Sequence, residues 1–281
     1  MKTKFELYAE ALGDFLTSEM NRRFGTTHPR LTEVVPLGAQ LALDCIANSD
    51  ALYHNIEHTM LVTLAGHDII YGRALLEDVN PSDYAHFIMA CLMHDIGYVR
   101  GILKEDGDDG YVIDATGRKV CLPRGASDAA MAPYHVDRSK MFVLDRIKTI
   151  DELDEKRIAR AIEFTRFPPS LVNTENENSE EGVLLRAADL IGQLGDPHYL
   201  RKSNALFYEF EEIGLNEERG FASPADVLDK YPQFYWNAVS PHIKPAIRYL
   251  NVTSRGRQWI ANLYSNVFRA EREPRLSGPQ P

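Results

Sequence analysis

Apolar residues recur along this chain at intervals of three and four, the spacing that puts them on one face of an α-helix. Phe5, Tyr8, Leu12, Phe15, Leu16 and Met20 predict a helix over 3–24, closed by Gly25, and a second stripe predicts one over 36–47, closed by Asn48-Ser49-Asp50. Leu61, Val62, Leu64, Ala65, Ile69 and Leu76 predict a long helix over 58–78. Asn80-Pro81-Ser82-Asp83 then reads as a helix start: a capping side chain, proline at the first helical position and an acid in the first turn. That helix turns Tyr84, Phe87, Ile88, Cys91 and Leu92 inward and ends on His94 and Asp95.

The helical spacing breaks over 97–126. Residues 111–114 and 119–122 flank Ala115-Thr116-Gly117-Arg118 and predict a small β-hairpin. Residues 104–110, with four acids and two glycines, predict a mobile surface loop, and an insertion at this place would lie over any site formed by the preceding doublet. Helices resume over 133–148, over 151–167 until Pro168-Pro169, over 179–194, and over 198–213 after Pro197. The aromatic-rich remainder, around 231–236 and 253–268, predicts two or three more. Residues 173–181 read as an exposed acidic loop and 273–281 as a flexible tail. There is no internal repeat. The fold expected is all-α, one domain over 1–272 with a small hairpin insertion.

Composition narrows the function. With 41 acidic against 31 basic residues the formal charge is −10, which argues against a partner that is a nucleic-acid polymer or an anionic membrane. Cys45, Cys91 and Cys121 are odd in number and lack C-x-x-C spacing, so reduced thiols in a reducing compartment are expected. The charged first ten residues do not read as a signal peptide, and no apolar run reaches the roughly 20 residues that span a bilayer. A cytoplasmic protein is expected, and the aromatic C-terminal helices could serve either the core or a homodimer contact.

Several polar residues interrupt apolar helix where burial would be costly. His94-Asp95 closes the run Ala90-Cys91-Leu92-Met93, and Asp189 sits among Leu184, Leu185, Leu190 and Ile191. His54 and His58, four apart, share a helix face. A buried carboxylate needs hydrogen bonds or a cation beside it, and a metal ion is a common one. Each residue also has a plainer alternative: a solvated histidine pair, or Asp189 paired with Arg186.

The order His58, His94-Asp95, Asp189 resembles the signature of the HD-domain metal-dependent phosphohydrolases: one His, a His-Asp doublet, then a distant Asp. Tyr53-His54-Asn55-Ile56-Glu57-His58 is similar to the corresponding segment of cyclic-nucleotide phosphodiesterases. The resemblance covers roughly 51–200 and implies an all-α HD-type domain. It assigns His58, His94, Asp95 and Asp189 as ligands of one or two divalent ions (Mn, Fe, Co, Ni, Zn or Mg), with Asp95 bridging to the second. His54 takes the family role of general acid at the leaving oxygen, and Asn55 orients a hydrogen bond or caps the helix. His135 falls where many such proteins place a ligand to a second metal, though a surface position is equally open. Arg138, Arg100 or Arg166 could pair with a substrate phosphate, and Gln193 could read a base or simply pack. The implied function is hydrolysis of a small, nucleotide-like phosphate mono- or diester by metal-activated water.

Rival readings are a diiron oxygenase of the same domain type and a non-catalytic metal- or nucleotide-binding module. Departures stand beside the resemblance. Leu61 occupies a place where phosphodiesterases carry an acid, Tyr98 one where many relatives carry His or Lys, and no His lies between 135 and 189. The histidine-rich dinuclear set of cyclic-dinucleotide hydrolases and diiron oxygenases is therefore incomplete.

Overall fold

The computed structural model describes residues 2–26, 28–171 and 179–272; residues 173–178 of the expected acidic loop and the tail over 273–281 lie outside them. Helix α1 (Lys4–Phe24) begins at a capping box, in which Thr3 and Glu6 satisfy each other's backbone N–H groups, and ends at Gly25. Helix α2 (Pro29–Ile46) starts a full two turns before the expected position. Pro29, not Pro36, is the proline of the first turn, where a missing N–H costs nothing, and Pro36 is tolerated inside the helix beside buried Val35 and Ala39. Helix α3 (Ile56–Arg73) stops before 78 because Leu75 and Leu76 face solvent and are not core positions.

Helix α4 (Pro81–Met93) has the predicted Asn80/Asp83 capping box, is buried from Tyr84 to Met93, and passes into a 3-10 turn, Ile96–Tyr98. The hairpin is real but short: β1 (Tyr111–Val112) pairs antiparallel with β2 (Lys119–Val120), in register Tyr111 with Val120. After it come α5 (His135–Arg146), α6 (Glu155–Glu163), α7 (Glu180–Leu194) and α8 (Tyr199–Glu212). The C-terminal part holds α9 (Leu215–Arg219), α10 (Pro224–Phe234), α11 (Ser240–Leu250) and α12 (Ser254–Arg272), more than the two or three expected; a π-helical turn, Tyr235–Val239, joins α10 to α11. The fold is all-α with one small hairpin after the His-Asp doublet. No described helix is long and apolar enough to cross a membrane.

Helix α3 lies at the centre, packed on α4, α7 and α11. Its approach to α7 depends on Gly192, where a Cβ would come within 2.8 Å of the Val62 backbone. This close crossing brings the N-terminal turn of α3 opposite the middle of α7.

The expected surface loop over 104–110 is largely exposed, and it is anchored to the body at Asp106. The Asp106 carboxylate accepts from the backbone N–H groups of Leu103 (3.3 Å) and Val112 (2.9 Å) and pairs with Arg138. Arg138 is wholly buried and donates to Gly97 O (2.8 Å), Val99 O (2.8 Å), Val112 O and both Asp106 oxygens. An ion pair sealed from water is tolerated when its remaining donors are satisfied, as here.

Candidate metal centre

Three elements meet at the end of α4. Asn55 caps α3 by accepting from Glu57 N (2.9 Å) and His58 N (3.4 Å), so His58 enters in the first turn with its ring buried. His94 caps the C-terminus of α4, and its Nδ1 bonds Cys91 O at 2.9 Å, which leaves Nε2 to point away from the helix. Asp95 opens the following 3-10 turn, where the change of backbone direction lets it face the same point as its neighbour. Asp189 reaches in from α7.

The distances are short. His58 Nε2 lies 3.2 Å from Asp95 Oδ2 and 3.3 Å from Asp189 Oδ1. His94 Nε2 lies 3.1 Å from Asp95 Oδ2 and 3.7 Å from Asp189 Oδ1. Yet His58 Nε2, His94 Nε2 and Asp95 Oδ2 are buried and make no directed hydrogen bond. Such atoms crowd together without pairing when they share a target rather than one another. His58, His94 and Asp189 form a group able to hold a metal ion, and His54, His58 and Asp95 form an overlapping second.

The electrostatics follow. Burial opposes charge on His94, but its imidazole is driven well above its ordinary range by Asp95 and Asp189. Asp95 and Asp189 are held well below theirs despite burial, Asp95 mainly by the charge of His94 and Asp189 mainly by its contact with His58. Both carboxylates are therefore ionised and a proton is drawn to His94. A divalent cation would compete for the same negative field.

His54 stands beside this group, its ring edge-on to His58 at 5.3 Å. Its Nδ1 meets Glu209 Oε2 at 2.5 Å, and Glu209 Oε1 accepts from the backbone N–H of Tyr53 (2.6 Å) and of His54 (3.2 Å). Burial would lower the imidazole's pKa, but the Glu209 charge and hydrogen bond lift it to about 9. His135, first residue of α5, bonds Ala132 O through Nδ1 (2.6 Å) and turns Nε2 toward the other Asp95 oxygen, Oδ1, at 3.7 Å. Burial depresses its pKa, so it is a neutral ring with a free lone pair. Asp95 thus offers Oδ2 to one side and Oδ1 to the other.

The remaining candidates do not join the centre. Asn55 is a helix cap, with Nδ2 also bonded to Leu52 O at 2.9 Å, so both ends of its amide are engaged and a catalytic role is not supported. Arg138 is the internal staple of the insertion, closed to any phosphate. Arg100 donates to Asp128, to Ala126 O (2.9 Å) and to Asp50 (2.9 Å). Arg166 pairs with Glu163 (2.8 Å) and Asp137 (2.9 Å). These arginines lie near acids that neutralise them, which spacing along the chain does not reveal. Gln193 is half-buried and bonds the Tyr199 side chain, the packing role. Arg186 donates to Phe164 O (2.7 Å), so it leaves Asp189 to the centre.

Two residues at the centre were not among the candidates: Glu209, which the sequence did not single out, and Tyr98, noted there only as a departure from the resemblance. Glu209 on α8 is buried, an acid between the apolar Leu206, Phe207 and Phe210, and that burden was its only visible signal. Tyr98 lies between two histidines, stacked on His54 (4.5 Å between centroids, 14° between planes) and on His135 (4.4 Å, 20°).

No curated protein matches the chain. A family model does, along residues 3–273, almost its whole length, and the chain belongs to that family, the Npun_R2479-like proteins.

Proposed function

We propose that this protein is a metal-dependent phosphohydrolase of the HD type, cleaving a phosphate ester of a small, nucleotide-like molecule. One observation carries the reading: four side chains drawn from α3, the end of α4 and α7 converge within 3.1–3.7 Å, with buried ligand atoms that bond nothing else. Mixed imidazole and carboxylate donors suit a first-row divalent ion. His58, His94, Asp95 and Asp189 would hold it, and Asp95 Oδ1 with His135 would hold a second. Bound there, such an ion supplies Lewis acidity toward a phosphoryl oxygen and acidifies water near neutral pH.

The protein's own groups supply the rest. His54, charged through Glu209, holds a proton on Nε2 beside the centre and can pass it to a departing alkoxide. Glu209 fixes the ring through Nδ1, so the acid proton resides on the nitrogen that faces the reaction. Burial of the ligand shell keeps bulk water from dispersing this field. The nucleotide-like character of the substrate rests on the phosphodiesterase-like segment 53–58.

The test is metal analysis of purified protein, then a panel of phosphate mono- and diesters with that metal restored. His94→Ala and Asp95→Ala should lose both metal and turnover. His54→Ala should keep the metal and lose about 10²- to 10⁴-fold in rate, the usual contribution of a general acid. Equal activity in all three variants sinks the reading.

A further inference from the structure

The centre needs a donor for the phosphoryl oxygens of its substrate, and the arginines nominated for that work are bound to internal acids. A cationic side chain close to Asp95 would in any case compete with a metal for the ligand carboxylates. A neutral donor would not.

Tyr98 is placed to be that donor. It follows Asp95 by three residues, on the 3-10 turn that carries the carboxylate, and only 3% of its surface is exposed. Its ring is clamped between His54 and His135, the two imidazoles that flank Asp95 on its two sides. No hydrogen bond from its hydroxyl is found among the described residues, and the oxygen is not one of the sealed polar atoms that lack a partner, so it stays reachable. A reachable phenol hydroxyl with no partner in the protein is free to donate to a ligand oxygen.

We propose that Tyr98 binds the substrate, its hydroxyl donating to a non-bridging phosphoryl oxygen while its ring keeps His54 and His135 parallel. The proposal rests on the phosphohydrolase reading and assigns that site its phosphate anchor. The stack makes the anchor rigid, because sliding the ring would displace both imidazoles.

The experiment measures affinity for inorganic phosphate by calorimetry on Mn²⁺-loaded protein, with KM and kcat on bis(p-nitrophenyl) phosphate alongside. Tyr98→Phe keeps the stacked ring and removes only the donor. It should weaken phosphate binding about tenfold or more, the usual loss for a hydrogen bond to a charged group, and raise KM more than it lowers kcat. Tyr98→Leu should weaken phosphate to a similar degree and also lower kcat, since His54 loses its clamp. Phosphate affinity within twofold of the parent in either variant overturns the proposal and leaves the hydrolase reading standing if the parent turns over. A parent protein that takes up Mn²⁺ but binds no phosphate overturns both.

Discussion

Two histidines of this chain, His67 sealed in the core and His54 half-buried, are shifted in opposite directions. His67 receives an N–H from Arg255 on Nε2 at 2.7 Å and meets Tyr84 Oη through Nδ1 at 2.9 Å. Burial, then the charges of Arg255 and Arg22, push its pKa down to about 3, even though Glu19 lies 3.3 Å away, because Arg255 occupies the lone pair a proton would need. His54 instead has the Glu209 carboxylate on its Nδ1 and, against burial, rises to about 9. The first is a structural acceptor and the second a candidate acid. A general acid works only while protonated, so turnover should fall as pH rises through the pKa of His54. A cation on the neighbouring ligands repels imidazolium, so in the loaded protein this limb lies below 9. Glu209→Gln keeps the shape and removes the charge. We expect its alkaline limb to move down by at least about one unit, with roughly tenfold or greater loss of rate at pH 8, a smaller loss at pH 6 and unchanged metal content. A pH–rate profile in which that limb does not move would remove His54 from the acid role.

At the scale of elements, the centre depends on two close approaches. Gly192 lets α7 meet α3, and Gly97 lets the turn after Asp95 press on α5, where a Cβ would fall 2.0 Å from His135 O and 2.6 Å from Ser139 N. Ser139 Oγ accepts the Gly97 N–H at 2.8 Å, and the Arg138 Nε–H caps the Gly97 carbonyl. This seam sets the distance between Asp95 and His135. Gly97→Ala would force two backbones apart, and overpacking of this kind costs about 1–3 kcal/mol. In a chain of this size that lowers Tm by roughly 3–10 °C. Thermal unfolding of the variant checks it; an unchanged Tm would mean that α5 can yield and that the seam does not fix His135. The helices themselves were legible, because capping boxes, prolines and apolar spacing act within a few residues. The seam was not. Gly97 in sequence reads only as a helix stop, and Arg138 as a free cation, since its acid Asp106 arrives from 32 residues away across the hairpin.

The whole molecule explains why the ligands could be nominated and their supports could not. His58, His94, Asp95 and Asp189 each place a costly polar group inside an apolar pattern, so each was conspicuous in its own segment. Glu209 contacts His54 across 155 positions, and Tyr98 reaches its two histidines only once α3, α5 and the turn have packed. The same topology would make metal binding at the proposed centre a property of the entire fold. The ligands come from segments more than 130 positions apart, and an unfolded chain does not hold them together. A divalent ion that binds the folded state alone stabilises it by about 2.7 kcal/mol at a hundred times its Kd. At roughly 2–4 °C per kcal/mol for large domains, saturating Mn²⁺ should raise Tm by roughly 5–10 °C, and a chelator should reverse it. Asp95→Ala should abolish the metal-induced shift whatever its own Tm, because the carboxylate facing both sides of the centre is gone. His54→Ala should retain the shift, because that ring serves the proton and not the ion. A shift of equal size in the Asp95 variant would place the cation elsewhere on this acidic surface, and the four convergent side chains would then need another explanation.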